Sequence, residues 1–313
     1  MSSPDLPIKL IAIDMDGTLL GTDGRVSLRN AAALRCAEAA GLEIVIATGR
    51  RHCYAMHILR DLKLHPSNAL VSSNGTVIRT IGSELIHRTD MPLSTARWLC
   101  NHVSDFRSTL VLTFDTVGPD GEDSRGALVV EDTAELHASI SRWVMANEPY
   151  IAEVKPIARA LEGDPPIQMM LCGPVARMRE AEARLLEHPR VTPVGVEAAP
   201  DAEITLHRTE YPERDLCILD ILPAGCSKAS ALAHLAELRG ISMREVLAIG
   251  DNWNDVPMLE AAGQAVVMSN APEDVQTLAR SRGWTVGASN DEDGVALAIE
   301  SVLAATEKSA MVV

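Results

Sequence analysis

The sequence predicts an α/β fold around a parallel sheet, with a second, α+β domain inserted into it. Three observations predict this. Short apolar runs alternate with helical segments over the first 84 residues, and the same texture returns from about residue 223. Between them the pattern changes to mixed strands and helices, with loops that cluster Gly, Pro and Asp. Strands apolar throughout are covered on both faces, which is the condition of a parallel sheet. The expected division is a core of residues 1–84 and 223–313, and an inserted α+β domain of residues 85–222.

The elements follow in order. Leu10 to Ile13 is a short apolar run, read as a strand. Ser27 is a good N-cap for a helix through Ala40, and Gly41 a good stop. "EIVIA", Glu43 to Ala47, is the next strand. His52 to Leu62 reads as a helix, with Met56, Leu59 and Leu62 at i, i+3 spacing. Ala69 to Ser72 is a third strand. In the middle region "STLVLTF", "GALVV" and "IQMMLCG" read as strands, and Ser94–Val103 and Pro174–Glu187 as helices. The α/β texture resumes with a helix Ser227–Arg239 closed by Gly240, a strand Val246–Ile249 and a helix Asp255–Ala262 closed by Gly263. A strand Ala265–Met268 and helices Ala271–Ser281 and Val295–Ala305 follow. Glu307 to Val313 is expected to fray.

Composition excludes several functions. The chain of 313 residues carries 43 acids against 28 bases, a net charge of −15. That argues against nucleic acid and against an anionic membrane, since both need a basic face. A small anionic substrate stays possible, because one metal ion and one lysine reverse the local field. Four Trp, three Tyr and two Phe make a poor stacking platform for bases. The six cysteines, at 36, 53, 100, 172, 217 and 226, form no CxxC pair and fit a reduced, cytoplasmic protein. No apolar run approaches the ~18 residues of a membrane helix, and no leader pattern opens the chain. The nine histidines show no zinc spacing. No residue pattern speaks to oligomeric state.

Ligands of an α/β sheet bind beyond the C-terminal ends of its strands. The first strand ends in Asp14 and Asp16, the second in Thr48-Gly49-Arg50 and the third in Ser73-Asn74-Gly75. The strand at 246–249 ends in Gly250, Asp251, Asn254 and Asp255, and Lys228 opens a helix. Four clustered carboxylates raise one another's pKa. A hard cation with oxygen ligands relieves them, and Mg²⁺ suits carboxylates, waters and a substrate phosphate together. Mg²⁺ and Lys228 could then hold a phosphoryl group between them.

"DMDGT", "ATGR", a lysine opening a later helix and "GDNWND" resemble, in order and spacing, the four motifs of the haloacid dehalogenase-like hydrolases. The pattern is similar to the Cof-type phosphatases of that superfamily, with a Rossmann-like core and a C2-type α/β cap inserted between the second and third motifs. "SSNGT", "VVMSNA" and "NDEDGVA" also resemble stretches of that branch. The motifs lie in the two core segments; the middle region resembles the family in size and position. Ala229 replaces a frequent Gly and His52 a common Pro, neither touching the inferred chemistry. The resemblance implies Asp14 as nucleophile, forming an aspartyl-phosphate. It implies Asp16 as the acid that protonates the leaving group and then deprotonates water. Thr48 and Lys228 would bond phosphoryl oxygens. Asp251, with Asp14 and the Asp16 carbonyl, would hold Mg²⁺, and Asp255 would support the metal's waters. Gly17 and Thr18 would shape the phosphate turn, with Gly49, Arg50, Asn74 and Asn270 lining the crevice. The implied partner is a small phosphorylated metabolite, and a sugar phosphate is the leading candidate.

Plainer roles compete for several of these residues. Asp251 and Asp255 could be a solvated helix start. Thr48 could be an N-cap, Lys228 a surface charge and Asn270 a helix cap. Asn74-Gly75 could be a hairpin turn. Trp253 could touch substrate or pack. At the level of function, the alternatives are a phosphotransferase or mutase on the same scaffold and a catalytically inactive binding module. A DxD glycosyltransferase is more distant.

Overall fold

The computed structural model describes residues 7–118, 120–196 and 199–310. It contains two compact units, one running to Ile86 and resuming at Lys228, the other spanning His87–Ser227.

The chain opens with β1 (Leu10–Asp14), α1 (Leu28–Ala39), β2 (Glu43–Ala47), α2 (His52–Leu59) and β3 (Ala69–Ser72). Ser27 caps α1 as expected, its hydroxyl accepting from the Asn30 N–H at 3.0 Å. The helix expected to Leu62 ends at Leu59; a 3₁₀ turn covers Arg60–Leu62 and stops at Lys63, which is left-handed. Two strands that periodicity did not predict follow, β4 (Val77–Thr80) and β5 (Leu85–Arg88). β4 returns antiparallel to β3. The turn between them is Ser73-Asn74-Gly75, with φ of 48°, 53° and 101°. Asn and Gly tolerate that region best, so the hairpin reading of Asn74-Gly75 holds.

The unit His87–Ser227 contains α3 (Leu93–His102), β6 (Leu110–Thr113), β7 (Leu128–Val130), α4 (Ser141–Asn147), β8 (Ile151–Glu153) and β9 (Gln168–Gly173). α5 (Val175–Leu186), β10 (Val191–Pro193), β11 (Ile204–Tyr211) and β12 (Leu216–Pro223) complete it. Its sheet runs β10-β11-β12-β9-β6-β7-β8, largely antiparallel. Leu110, Leu112, Met169 and Leu171 pack with Leu99, Met178 and Leu185 of α3 and α5. Val111 and Cys172 point the other way, toward Ile140 and Trp143. Alternate residues thus serve two layers, as a pleated strand requires.

The first unit resumes with α6 (Lys228–Leu238), β13 (Val246–Gly250), α7 (Val256–Ala261) and β14 (Gln264–Val267). α8 (Glu273–Arg282), β15 (Thr285–Val286) and α9 (Gly294–Ala310) end it. α9 carries the chain past Glu307, where fraying was expected; residues 311–313 lie outside the described residues. The sheet order is β15-β14-β13-β1-β2-β3-β4-β5. From β15 to β3 every pairing is parallel, so the expected parallel sheet is correct for six strands and ends in an antiparallel edge. The strands alternate cleanly between its faces. Ile11, Ile13, Ile44, Ile46, Leu247 and Ile249 bury with Leu34 of α1 and Ile299 of α9. Leu10, Ala12, Val45, Ala47, Val246 and Ala248 bury with Leu232 of α6 and Leu259 of α7. No helix among the described residues is long and apolar enough to cross a membrane.

Candidate active site

Parallel strands end at one side of their sheet, and the register sets what meets there. Asp14 lies opposite Ala47, so Thr48 follows at the same level on the next strand. Ile13 lies opposite Ile249, which brings Gly250 and Asp251 up beside Asp14 on the other flank. Asp255 stands immediately before α7, and Lys228 is the first residue of α6. Asp14, Asp251 and Asp255 offer carboxylate oxygens that all lie within 4.8 Å of one another.

Lys228 threads this cluster. Its ammonium donates to Asp14 Oδ1 at 2.5 Å and to Asp255 Oδ1 at 2.7 Å. The three side chains are 1%, 5% and 0% exposed, which disposes of the surface-charge reading of Lys228 and of a solvated acidic helix start. Asp255 Oδ2 accepts the N–H groups of Asp251 and Asn252, both at 3.1 Å. Both Asp255 oxygens are therefore engaged by the chain. Gly250 makes this possible, because a Cβ there would fall 2.6 Å from that of Asp255. The Thr18 hydroxyl donates to Asp251 Oδ1 at 3.0 Å. Gly17, with φ of +83°, lies so close to the Asp251 carboxylate that a Cβ would overlap it.

The electrostatics follow from burial. Asp14 is held well above the usual carboxylate range, first by desolvation and then by Asp255, with Lys228 opposing. Asp251 is pushed up to about 7, again by burial first and Asp255 second, against the Thr18 hydroxyl and Lys228. Burial alone would lower Lys228, but Asp14 and Asp255 outweigh it and raise its pKa. Ionising Asp14, Asp251 and Asp255 together beside the one ammonium would leave two negative charges in a buried space. A divalent cation balances that sum, and an all-oxygen donor set suits Mg²⁺. The residues present fit such an ion.

The other predicted residues divide. Asp16 turns away from the cluster: Arg50 Nε and Nη2 donate to its two oxygens at 2.8 and 2.5 Å, and its side chain is 50% exposed. The same guanidinium lies 4.8 Å from the Tyr54 ring. Thr48 is buried, and its hydroxyl accepts from the Arg50 N–H at 3.1 Å. It does not cap α2, whose N-cap position is Arg51. Asn74 is buried, and its side chain packs where a Gly49 Cβ would come within 3.1 Å of it. Asn270 does not cap α8, whose N-cap position is Pro272. Its Nδ2 donates to the Gly17 carbonyl at 2.8 Å, and its Oδ1 accepts from the Asn290 N–H at 2.9 Å. The Trp253 indole N–H donates to Asp274 at 3.2 Å. Sequence reasoning placed Ser73 at the end of the third strand but gave it no role in the site; its buried hydroxyl has no hydrogen-bond partner among the described residues. Its place at the end of β3 was the available signal. Asn290 and Asp291, inside "NDEDGVA", were not read as parts of the site either.

A lysine buried between strand-end carboxylates, on a doubly covered parallel sheet, defines the class. The chain belongs to the haloacid dehalogenase-like hydrolases, whose family pattern matches residues 11–299. It is 28% identical to the 5-amino-6-(5-phospho-D-ribitylamino)uracil phosphatase YwtE of Bacillus subtilis, over 95% of this chain and 98% of that one. It is 30% identical to the phosphatase YwpJ of the same organism, over 95% and 100%. A haloacid dehalogenase-like hydrolase from Bacteroides thetaiotaomicron superposes with a TM-score of 0.72 at 26% identity, covering 94% of this chain and 99% of that structure. The protein is an enzyme of the phosphoric monoester hydrolase class.

Proposed function

We propose that the protein is a Mg²⁺-dependent, cytoplasmic phosphatase of small phosphorylated metabolites, acting through an aspartyl-phosphate on Asp14. The observation that carries this reading is the Lys228 ammonium, buried against Asp14 and Asp255 beside Asp251. Asp14, Asp251 and the Asp16 main-chain carbonyl would hold the ion, with Asp255 ordering the loop behind Asp251. When bound, it supplies screening of the phosphoryl group's negative charge.

In the first half-reaction an Asp14 oxygen attacks phosphorus, and the bond from phosphorus to the leaving oxygen breaks. Asp16 gives its proton to the departing alkoxide. In the second, water attacks the aspartyl-phosphate while Asp16 takes its proton; inorganic phosphate leaves and the Asp14 carboxylate is restored. Lys228 and the Thr48 hydroxyl orient phosphoryl oxygens. A phosphorylated sugar or polyol is the substrate class favoured here. The name of one relative, a phosphatase of a phosphoribitylamino compound, supports that choice.

The test is phosphate release across a panel of sugar and polyol phosphates with Mg²⁺, with Asp14→Asn as control. Turnover by the wild type and none by the variant is expected. An Asp14→Asn protein of full activity would overturn the mechanism, and phosphoryl transfer to an added sugar without free phosphate would make it a phosphotransferase.

A further inference from the structure

The loop that follows β1 is held from outside by the far end of the chain. Within itself it makes the backbone bonds Leu20 N–H to the Met15 carbonyl, Gly21 N–H to the Arg25 carbonyl and Gly24 N–H to the Gly21 carbonyl, each at 2.9 Å, and the Leu19 N–H reaches the Asp14 carbonyl at 3.2 Å. Further contacts come from side chains some 250 residues away in sequence. Asn270 Nδ2 donates to the Gly17 carbonyl at 2.8 Å, and Asn290 Nδ2 to the Leu20 carbonyl at 2.8 Å. Asp291 accepts the Thr22 N–H at 2.8 Å and its hydroxyl at 3.0 Å. Asp293 accepts the Ser27 hydroxyl at 2.5 Å. Asn270 and Asn290 are themselves tied by the Asn290 N–H. A capping box between Ser289 and Glu292 shapes the turn that presents Asn290 and Asp291.

The Gly17 contact bears on chemistry. The Gly17 carbonyl belongs to the Gly17–Thr18 peptide, with Asp16 immediately before Gly17 and Thr18, which holds Asp251, immediately after it. Gly17 has φ of +83° and no side chain, so nothing in its own residue resists rotation of that peptide. The Asp16 carboxylate is half exposed and tethered at its tip by Arg50, a group that must let go when Asp16 transfers a proton. Only a fixed backbone then keeps the carboxyl aimed, and about 1 Å of misplacement is enough to cost about 100-fold in rate.

We propose that Asn270 is a positioning residue for Asp16: through its bond to the Gly17 carbonyl it sets the aim of the acid–base carboxyl, with the segment Ser289–Asp293 as its support. This rests on the acid–base assignment of Asp16 made above. An alkyl phosphate needs a proton at its leaving oxygen, whereas p-nitrophenolate departs without one. Misaiming Asp16 slows the water attack on the shared aspartyl-phosphate equally for both esters but penalises its formation unequally, so the losses are compared in kcat/KM, which reports formation; a general loosening of the fold makes no such distinction.

The experiment measures kcat and KM of the wild type, Asn270→Ala, Asn270→Asp and Asp16→Asn, with Mg²⁺, on p-nitrophenyl phosphate and on a sugar 6-phosphate. Asn270→Asp still accepts from the Asn290 N–H but cannot donate to Gly17. Both Asn270 variants are expected to lose about 10-fold or more in kcat/KM on the sugar phosphate, up to the roughly 10²–10⁴ that a general acid contributes. They should lose no more than about 3-fold in kcat/KM on the aryl ester, with melting temperature nearly unchanged. Equal losses on both esters, or none, by the Asn270 variants while Asp16→Asn shows the split would overturn the positioning role alone. Equal losses by Asp16→Asn would overturn the acid assignment and this inference with it.

Discussion

Replacing Asp251 by Asn is expected to stabilise the metal-free protein while removing its response to Mg²⁺. Asp251 is buried, and its pKa stands at about 7 against an ordinary 3.8. An acid whose folded pKa is raised binds more protons folded than unfolded between those values. Stability is therefore full below about pH 4 and is lost as pH rises toward 7. Roughly 3 pK units at 1.36 kcal/mol each make about 4 kcal/mol of destabilisation at pH 8. Asn keeps the oxygen that accepts the Thr18 hydroxyl and also removes one of the charges that raise Asp14. For a unit of this size, that is on the order of 10 °C in melting temperature. The assay is thermal unfolding at pH 5 and pH 8, in EDTA and in excess Mg²⁺. The wild type should melt lower at pH 8 in EDTA and recover with Mg²⁺. The variant should melt higher than wild type in EDTA and gain little from the ion. A variant that melts at or below the wild type in EDTA at pH 8 refutes the electrostatic account of the site.

Three further outcomes are expected. Lys228→Met should destabilise the metal-free protein by about 3–5 kcal/mol, because Asp14 and Asp255 lose their buried counter-charge; denaturant titration at pH 8 reads it, and an unchanged midpoint contradicts it. Gly17→Ala should abolish both turnover and the Mg²⁺-induced rise in melting temperature, since its Cβ overlaps the Asp251 carboxylate. Full activity in that variant would show that the two need not be close. Ser27→Ala should cost about 1 kcal/mol, the usual worth of an N-cap, in chemical denaturation.

The strand ends were legible because a parallel sheet leaves a plain trace: LIAID and VLAIG are apolar on both faces and stop at an acid or a glycine that cannot continue them. β4 and β5 were not, because VIRT and LIHR are short and carry arginine, and Arg79 is buried all the same. β11 was not singled out either: ITLHRTEY alternates apolar and polar residues only at its start, Ile204 to His207, and then turns polar. In the site, Asp14, Asp251, Asp255 and Lys228 could be placed together from their positions at strand and helix ends. The pairings could not. That Thr18 would hold Asp251, that Arg50 would take Asp16, or that Asn270 would spend its amide on the Gly17 carbonyl depends on side-chain directions in space. Periodicity carries no record of those.

The position of β1 in its sheet has a consequence for synthesis. It lies between β2, made soon afterwards, and β13, which begins at Val246. At about 5–20 residues per second, roughly 10–50 s separate the two on the ribosome. Through that interval β1, buried along its whole length in the finished fold, has one hydrogen-bonding edge open, the kind of edge that recruits foreign strands. The nascent chain carries Asp14, the proposed nucleophile, throughout, yet lacks Asp251, which follows β13 directly. It is an incomplete enzyme and an aggregation hazard at once, and the closing of β13 onto β1 ends both conditions in one step.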